Sequence, residues 1–248
     1  MRGVFVAASF LTRLRLPALA GGAEVGTSVR WFPLVGALLG GTGAALAWIL
    51  RDLFAMPSTL TATILVALGA WVTGAIHLDG LADTADGFGG GHTRGEVLRI
   101  MRDPVVGAYG AIALVLVLTM KVAALTELLT RGSALPFMVA APALSRWTIA
   151  ALAAWLPYAR ADGGLGRAVT DERTAPGLLL STITAAAIAV AALRFQAVVP
   201  IAVAVLATCW IGRLGLRRIG GVTGDVFGAS VELTETLVLV SAVLITGC

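Results

Sequence analysis

The chain has 248 residues, 58% of them hydrophobic and only 13% charged, with a mean hydropathy of +0.93. Ordinary soluble domains carry about a quarter charged residues, so this composition excludes one. The net charge of +4 comes without a basic tract interleaved with aromatics, which argues against a nucleic-acid partner, and Cys209 and Cys248 alone make neither a disulfide framework nor a zinc site.

The first 31 residues open on "MRGVFVAASFLTRLRLPALAGG". The positive start, short apolar stretch and A-x-A at Ala18–Ala20 imitate a signal peptide. Arg13 and Arg15 stand before that A-x-A, where charge is out of place. Residues 1–31 therefore read as an amphipathic segment on a membrane surface.

Runs of about 18 or more apolar residues are long enough to span a bilayer. Seven are expected, at 32–50, 56–77, 106–129, 134–156, 176–193, 196–213 and 229–247. The fold class is all-α, a polytopic membrane helix bundle forming one integral membrane domain over residues 1–248. Thirteen arginines fall in the N-terminal segment and the even loops, against three in the odd loops. The positive-inside rule then places the N-terminus and even loops in the cytoplasm, and Cys248 outside. Twelve of the fourteen acids fall at or near the cytoplasmic side too. Acids contribute little to topology, so a cytoplasmic site is the natural cause.

The second span leads into "HLDGLADTADGFGGG", His77–Gly91. If that span runs on as a helix, Asp79, Asp83 and Asp86 have spacing i, i+4, i+7 and share one face. Three like charges on one face repel each other, and a divalent cation such as Mg²⁺ removes the repulsion. Gly87, Gly89, Gly90 and Gly91 then read as open backbone whose N–H groups face phosphate oxygens. Arg94, Arg99 and Arg102 follow as phosphate partners. Residues 77–106 are thus expected to form a cytoplasmic Asp/Gly-rich active-site segment for phosphoryl transfer. The competing reading is an acidic cap with glycine connectors. His77 is a candidate base, or simply an interfacial histidine.

Two later stretches carry signal. Arg146, in "APALSRW", lies inside a span, where charge is costly and functional by default. "GGVTGDVFGASVELTE" (220–235) repeats glycines and acids. The tail after Glu235 is too short to span, so the last helix starts earlier and carries Glu235 into the interface. Asp225, Glu232 and Glu235 are expected either to complete the metal site or to pair with Arg146, Arg217 or Arg218. Lys121 either snorkels or pairs with Glu127.

Together, "FLTRL" (10–14), "FPLVGALLG" (32–40), "HLDGLADTADGFGGG" (77–91), "RIMRDPVVGAYGAIALV" (99–115), "APALSRW" (141–147), "PYAR" (157–160) and "GGVTGDVFGA" (220–229) resemble the cobalamin synthase (adenosylcobinamide-GDP ribazoletransferase) family. The resemblance covers nearly the whole chain. It implies a Mg²⁺-dependent enzyme of the prokaryotic cytoplasmic (inner) membrane. Such an enzyme joins α-ribazole, or its 5′-phosphate, to adenosylcobinamide-GDP and releases GMP. Expected partners are these substrates, membrane lipid and, as an option, a second copy in a homo-oligomer; nucleic acid is not among them. The expected metal ligands are Asp79, Asp83 and Asp86, completed by Asp225, Glu232 and Glu235. Asp86 or His77 is the candidate base. Arg94, Arg99, Arg102 and Arg146 are the phosphate candidates, and Gly89, Gly90 and Gly91 line the substrate. Two rivals remain at this stage: a CDP-alcohol-type lipid phosphotransferase, suggested by "DTADG", and a cation transporter, whose acids should lie at mid-membrane.

Overall fold

A computed structural model describes residues 2–14, 25–161, 163–171 and 174–247. Its helices are α1 (Arg2–Leu11), α2 (Val25–Ser28), α3 (Phe32–Trp48), α4 (Ser58–Val72), α5 (Ile76–Gly90), α6 (Arg94–Ile100), α7 (Ala108–Thr130), α8 (Ala134–Trp155), α9 (Leu165–Asp171), α10 (Ala175–Leu193), α11 (Val198–Ile219) and α12 (Gly224–Thr246). The architecture is the expected all-α membrane bundle. Five helical runs are long and apolar enough to cross a bilayer, and the bent pair α4–α5 makes six. One of the five, Ala175–Ile219, has 45 residues. Straight, it would reach roughly 65–70 Å, about twice the hydrocarbon core. It does not run straight. Arg194, at φ 55°, ends α10, and the chain turns back. Leu193, Ala197 and Ala204 around the turn share one core layer while Ile211 and Ile219 reach the other, so that run supplies two crossings, which makes seven among the described residues.

Two layers of core record these reversals. One layer holds Phe32 and Val35 of α3, Ile149 and Leu152 of α8, Ile211 and Ile219 of α11, and Val226 and Val231 of α12. The other holds the opposite ends of the same helices, with Ala44, Phe137, Ala204 and Val238, and the end of α10 at Leu193. The first layer also takes in Ala7 and Leu11 of α1 and Val97 of α6. It marks the end of the bundle that carries the polar connections. The N-terminal segment is thus anchored there by a helix with Val6, Ala7 and Leu11 buried. Arg15 and the A-x-A at 18–20 lie outside the described residues.

α8 is the most enclosed of the apolar helices. α3 lies directly on it because Gly36 and Gly40, four residues apart, face the backbones of Pro142 and Met138 with no room for a Cβ. Between apolar helices in lipid, such small-residue stripes let backbones approach and gain dispersion contact. This is the physical content of "FPLVGALLG".

The second span departs from expectation. It does not run on through the Asp motif. α4 stops at Val72, Gly74 and Ala75 take positive φ (64° and 56°), and α5 leaves at 88° to α4. A composition change from "LVALGAWV" to "HLDGLADTAD" across that break explains the turn: the polar helix cannot follow the apolar one through hydrocarbon. α5 instead lies across the polar end of the bundle. Arg13 of the N-terminal arm meets α4 there, donating its backbone N–H to Val72 O at 2.9 Å and stacking its guanidinium over Trp71.

Candidate active site

The aspartate motif forms a helix after all, and α5 crosses both α12 and α7 near their N-termini. Gly80 makes the first crossing possible: a Cβ there would lie 2.7 Å from Asp225 O. Asp79 and Asp83 flank that contact, so they come to the start of α12 beside Asp225. Asp79 is exposed and Asp83 half-buried. Asp83 lies on α5 between Gly80, which meets the start of α12, and Asp86, which meets the start of α7. Burial, with the charges of Asp225 and Asp79 added, pushes its carboxyl up to about 7. Asp79, Asp83 and Asp225 are hard oxygen donors whose mutual repulsion is only partly offset, the environment a Mg²⁺-type ion relieves. Among the described residues no three acids already converge into a closed metal cage.

Among the described residues Asp225 has one cationic partner, Arg160, whose Nη2 donates to Oδ2 at 2.7 Å. The geometry is set by backbone. Ala159 N bonds Val222 O at 2.8 Å and Val222 N bonds Pro157 O at 2.9 Å, with a parallel bridge between Tyr158 and Val222. "PYAR" is thereby fastened to "GGVTGD". Thr223 then caps α12 by accepting from Val226 N, which fixes Asp225 in the first turn.

Asp86 shares the triplet's face but has a different setting. It is 8% exposed, and its two oxygens accept N–H bonds from Gly107 (2.7 Å) and Gly110 (2.8 Å). It therefore caps the N-terminus of α7, a partly structural post that a charge-favouring helix end explains. His77 also faces inward. It is buried, its backbone packs on Gly228, and its Nδ1 has no hydrogen-bond partner. Neither candidate base is exposed as Asp79 is.

The glycine run is a correction. It is not open backbone. Gly87, Gly89 and Gly90 lie within α5, and Gly91 N bonds Gly87 O at 3.0 Å. Amides inside a helix are already spent on carbonyls, so Gly89, Gly90 and Gly91 do not offer a free N–H cradle. What they supply is closeness: Gly89 touches the Tyr109 ring and Gly91 touches Val97. Helix propensity misled here, because tertiary packing overrode four glycines.

The arginines form a rim around these connections. Arg94, at the start of α6, donates Nη2 to Ala159 O at 3.0 Å. Its helix is opened by a capping box of Thr93 and Glu96. The amides of Thr93 and His92 hold the Glu96 carboxyl below its usual range. Arg99 and Arg102 are exposed on the same segment. Arg218, from the last turn of α11, donates to Phe88 O and Gly91 O and so ties down the end of α5. The sequence assigns Arg160 no role and offers Arg218 as a partner for the later acids, whereas Arg218 donates to the carbonyls that end α5. The only signals for them were the "PYAR" string and the basic end of α11.

Glu232, Glu235 and Arg146 are not with the aspartates. The expected helix began near 229, which put Glu235 at the interface. α12 begins at Gly224 instead, so Glu235 lies eleven residues in, about 16 Å along the axis. There Lys121 Nζ donates to Glu232 Oε2 at 2.6 Å and to Glu235 Oε1 at 2.9 Å, and Arg146 pairs with Glu235 Oε2. The Arg146 alternative is thus realised, and Lys121 joins it rather than pairing with Glu127, which pairs with Arg131. In a low-dielectric layer an unpaired acid is costly; two acids against two cations are balanced. Among the described residues that balance leaves Glu232 and Glu235 without uncompensated charge.

A family described as Cobalamin-5-phosphate synthase matches residues 3–243. The chain is 41% identical over 247 residues to "Adenosylcobinamide-GDP ribazoletransferase" of Prosthecochloris aestuarii, covering 98% of both chains. It is 38% identical over 248 residues to the protein of the same name from Chlorobaculum tepidum, covering 98% of this chain and 96% of that one. It is also 39% identical over 246 residues to that of Ectopseudomonas mendocina, covering 96% and 97%. No solved structure matches. A helical membrane bundle with an aspartate helix across its polar end, matched over nearly its whole length, belongs to the cobalamin-5-phosphate synthase family.

Proposed function

We propose that this chain joins α-ribazole, or its 5′-phosphate, to adenosylcobinamide-GDP, forming adenosylcobalamin or its phosphate and releasing GMP. The observation that carries the reading is the meeting of Asp79 and Asp83 with Asp225 beneath a rim of arginines, in a chain that matches ribazoletransferases from end to end. In the reaction a ribose hydroxyl oxygen bonds the cobinamide-linked phosphorus. The bond from that phosphorus to the bridging oxygen breaks, that oxygen and its electron pair leave with GMP, and the hydroxyl proton passes to water.

Asp79, Asp83 and Asp225 would hold Mg²⁺, with Asp86 behind them. When bound, the ion supplies neutralisation of diphosphate charge. The chain's own residues do the rest. Arg94, Arg99 and Arg102 attract and orient the diphosphate. Arg160 holds Asp225 in register with α5. Arg218 keeps α5 seated across α12. The enzyme sits in the prokaryotic cytoplasmic membrane with this end facing the cytoplasm, as the arginine bias supports.

The test is purified protein in nanodiscs, given adenosylcobinamide-GDP and ribazole with Mg²⁺. GMP should appear with the cobalamin product and should cease with chelator. Release of CMP from CDP-diacylglycerol instead would turn the reading to the lipid phosphotransferase.

A further inference from the structure

A pocket of about 290 Å³ opens between α3, α4, α7, α8 and α12, with the exposed Leu68 and Gly69 in its lining. It is not over Asp83 and Asp225; it is beneath α5, whose Leu78 contributes to its lining. Its walls are aliphatic, Leu46, Leu65, Leu118 and Leu239 among them, and one side carries Lys121, Arg146, Glu232 and Glu235. We propose that this cavity is the pocket for the heteroaromatic base of the ribazole acceptor. The inference rests on the reaction proposed above and adds where one substrate is held.

Size is the first argument. Small-molecule pockets run from about 300 Å³ and are mostly apolar with a few placed polar groups. A corrinoid joined to a nucleotide is far too large for this one, whereas a flat bicyclic azole fits. Chemistry is the second argument. Lys121 gives two N–H bonds to Glu232 and Glu235, and an ammonium has three. Arg146, 5% exposed, uses Nη1 on Ser145 and Glu235, while its buried Nε has no partner among the described residues. A buried donor left unmade is costly. An azole ring nitrogen is an acceptor that would satisfy one. Position is the third. Leu78 lies between His77 and Asp79, so a base seated against it leaves its ribose at the aspartate end of α5. The attacking hydroxyl and the proposed metal ligands then meet at that helix.

Two glycines permit a clean test. A Cβ at Gly69 would meet nothing within 4 Å, and one at Gly43 would meet only the flexible end of Met138 at 3.5 Å. Both line the cavity, so Gly69→Phe and Gly43→Leu fill it without disturbing backbone. Gly41 has equal room and is not in the lining; Gly41→Leu is the control. In nanodiscs, equilibrium binding of ribazole alone is measured by the fluorescence of its base, and KM is measured for both substrates. Gly69→Phe and Gly43→Leu should weaken ribazole binding and raise its KM by about tenfold or more. The KM for adenosylcobinamide-GDP and the thermal midpoint should stay as in wild type, as should every value for Gly41→Leu. Unchanged ribazole binding in both filled variants, or a rise confined to the KM for adenosylcobinamide-GDP, overturns the pocket. Absence of cobalamin product from wild type would instead overturn the reaction, and the binding arm would still decide the pocket.

Discussion

Arg160 Nη2 lies 2.7 Å from Asp225 Oδ2, across 65 residues of sequence. This pair ties the connection after α8 to the first turn of α12. It also sets how much negative charge faces Asp83. Arg160→Ala should therefore act twice. Leaving the half-buried Asp225 unpaired should cost about 1–3 kcal/mol, seen as a lower thermal midpoint in detergent. Turnover should fall as well. Adding Asp225→Asn to Arg160→Ala should recover stability but not turnover. A double variant as unstable as the sum of the singles would mean the two side chains do not cooperate.

Asp86→Asn should behave as a folding variant first. Both carboxylate oxygens receive amide N–H bonds from the start of α7. An amide in that place points an NH₂ at a donor. A loss of about 1–3 kcal/mol is expected, read by thermal unfolding. If Asp86→Asn melts like wild type yet is inactive, the residue belongs to the chemistry and its capping role is incidental.

The buried quartet gives the third prediction. Lys121 is 7% exposed and Glu232 6%. Lys121→Met strands Glu232 and Glu235 against Arg146 alone, which should cost about 3–5 kcal/mol. Lys121→Met with Glu232→Gln restores the charge balance and should regain much of it. Equal stability of the single variant and wild type would remove the quartet from the energetics.

These residues also mark what the sequence could and could not tell. The apolar runs were legible because bilayer thickness fixes their length, and the triplet was legible because 3.6-residue periodicity puts i, i+4 and i+7 together. Pairings were not. Lys121 and Glu232 are 111 residues apart, and local spacing carries no trace of such a partner. The break at Ala75 is legible only as the end of an apolar run: the composition change there does not say that α5 leaves at 88°. The glycine run reads as open backbone for phosphate, because the close approaches to Met101, Tyr109 and Val97 that its glycines permit exist only in three dimensions. Glu235 was set too shallow because the start of α12 was placed five residues late.

Orientation is testable independently of catalysis. The arginine bias predicts that a reporter fused after Cys248 is active only outside the cytoplasm. Activity on the cytoplasmic side would mean an even number of crossings. The turn at Arg194 would then be the first place to look for the miscount.

The account's central claim is that the aspartates gathered by α5 and α12 perform the transfer. The direct measurement is GMP release by wild type and Asp83→Asn, in nanodiscs, with adenosylcobinamide-GDP, ribazole and saturating Mg²⁺. Asp83→Asn keeps the side chain's shape and makes no hydrogen bond to lose among the described contacts, so its thermal midpoint should match wild type. Its rate should fall by about a hundredfold or more, since several kcal/mol of charge stabilisation leave with the carboxylate. A folded Asp83→Asn enzyme releasing GMP at the wild-type rate would contradict the claim.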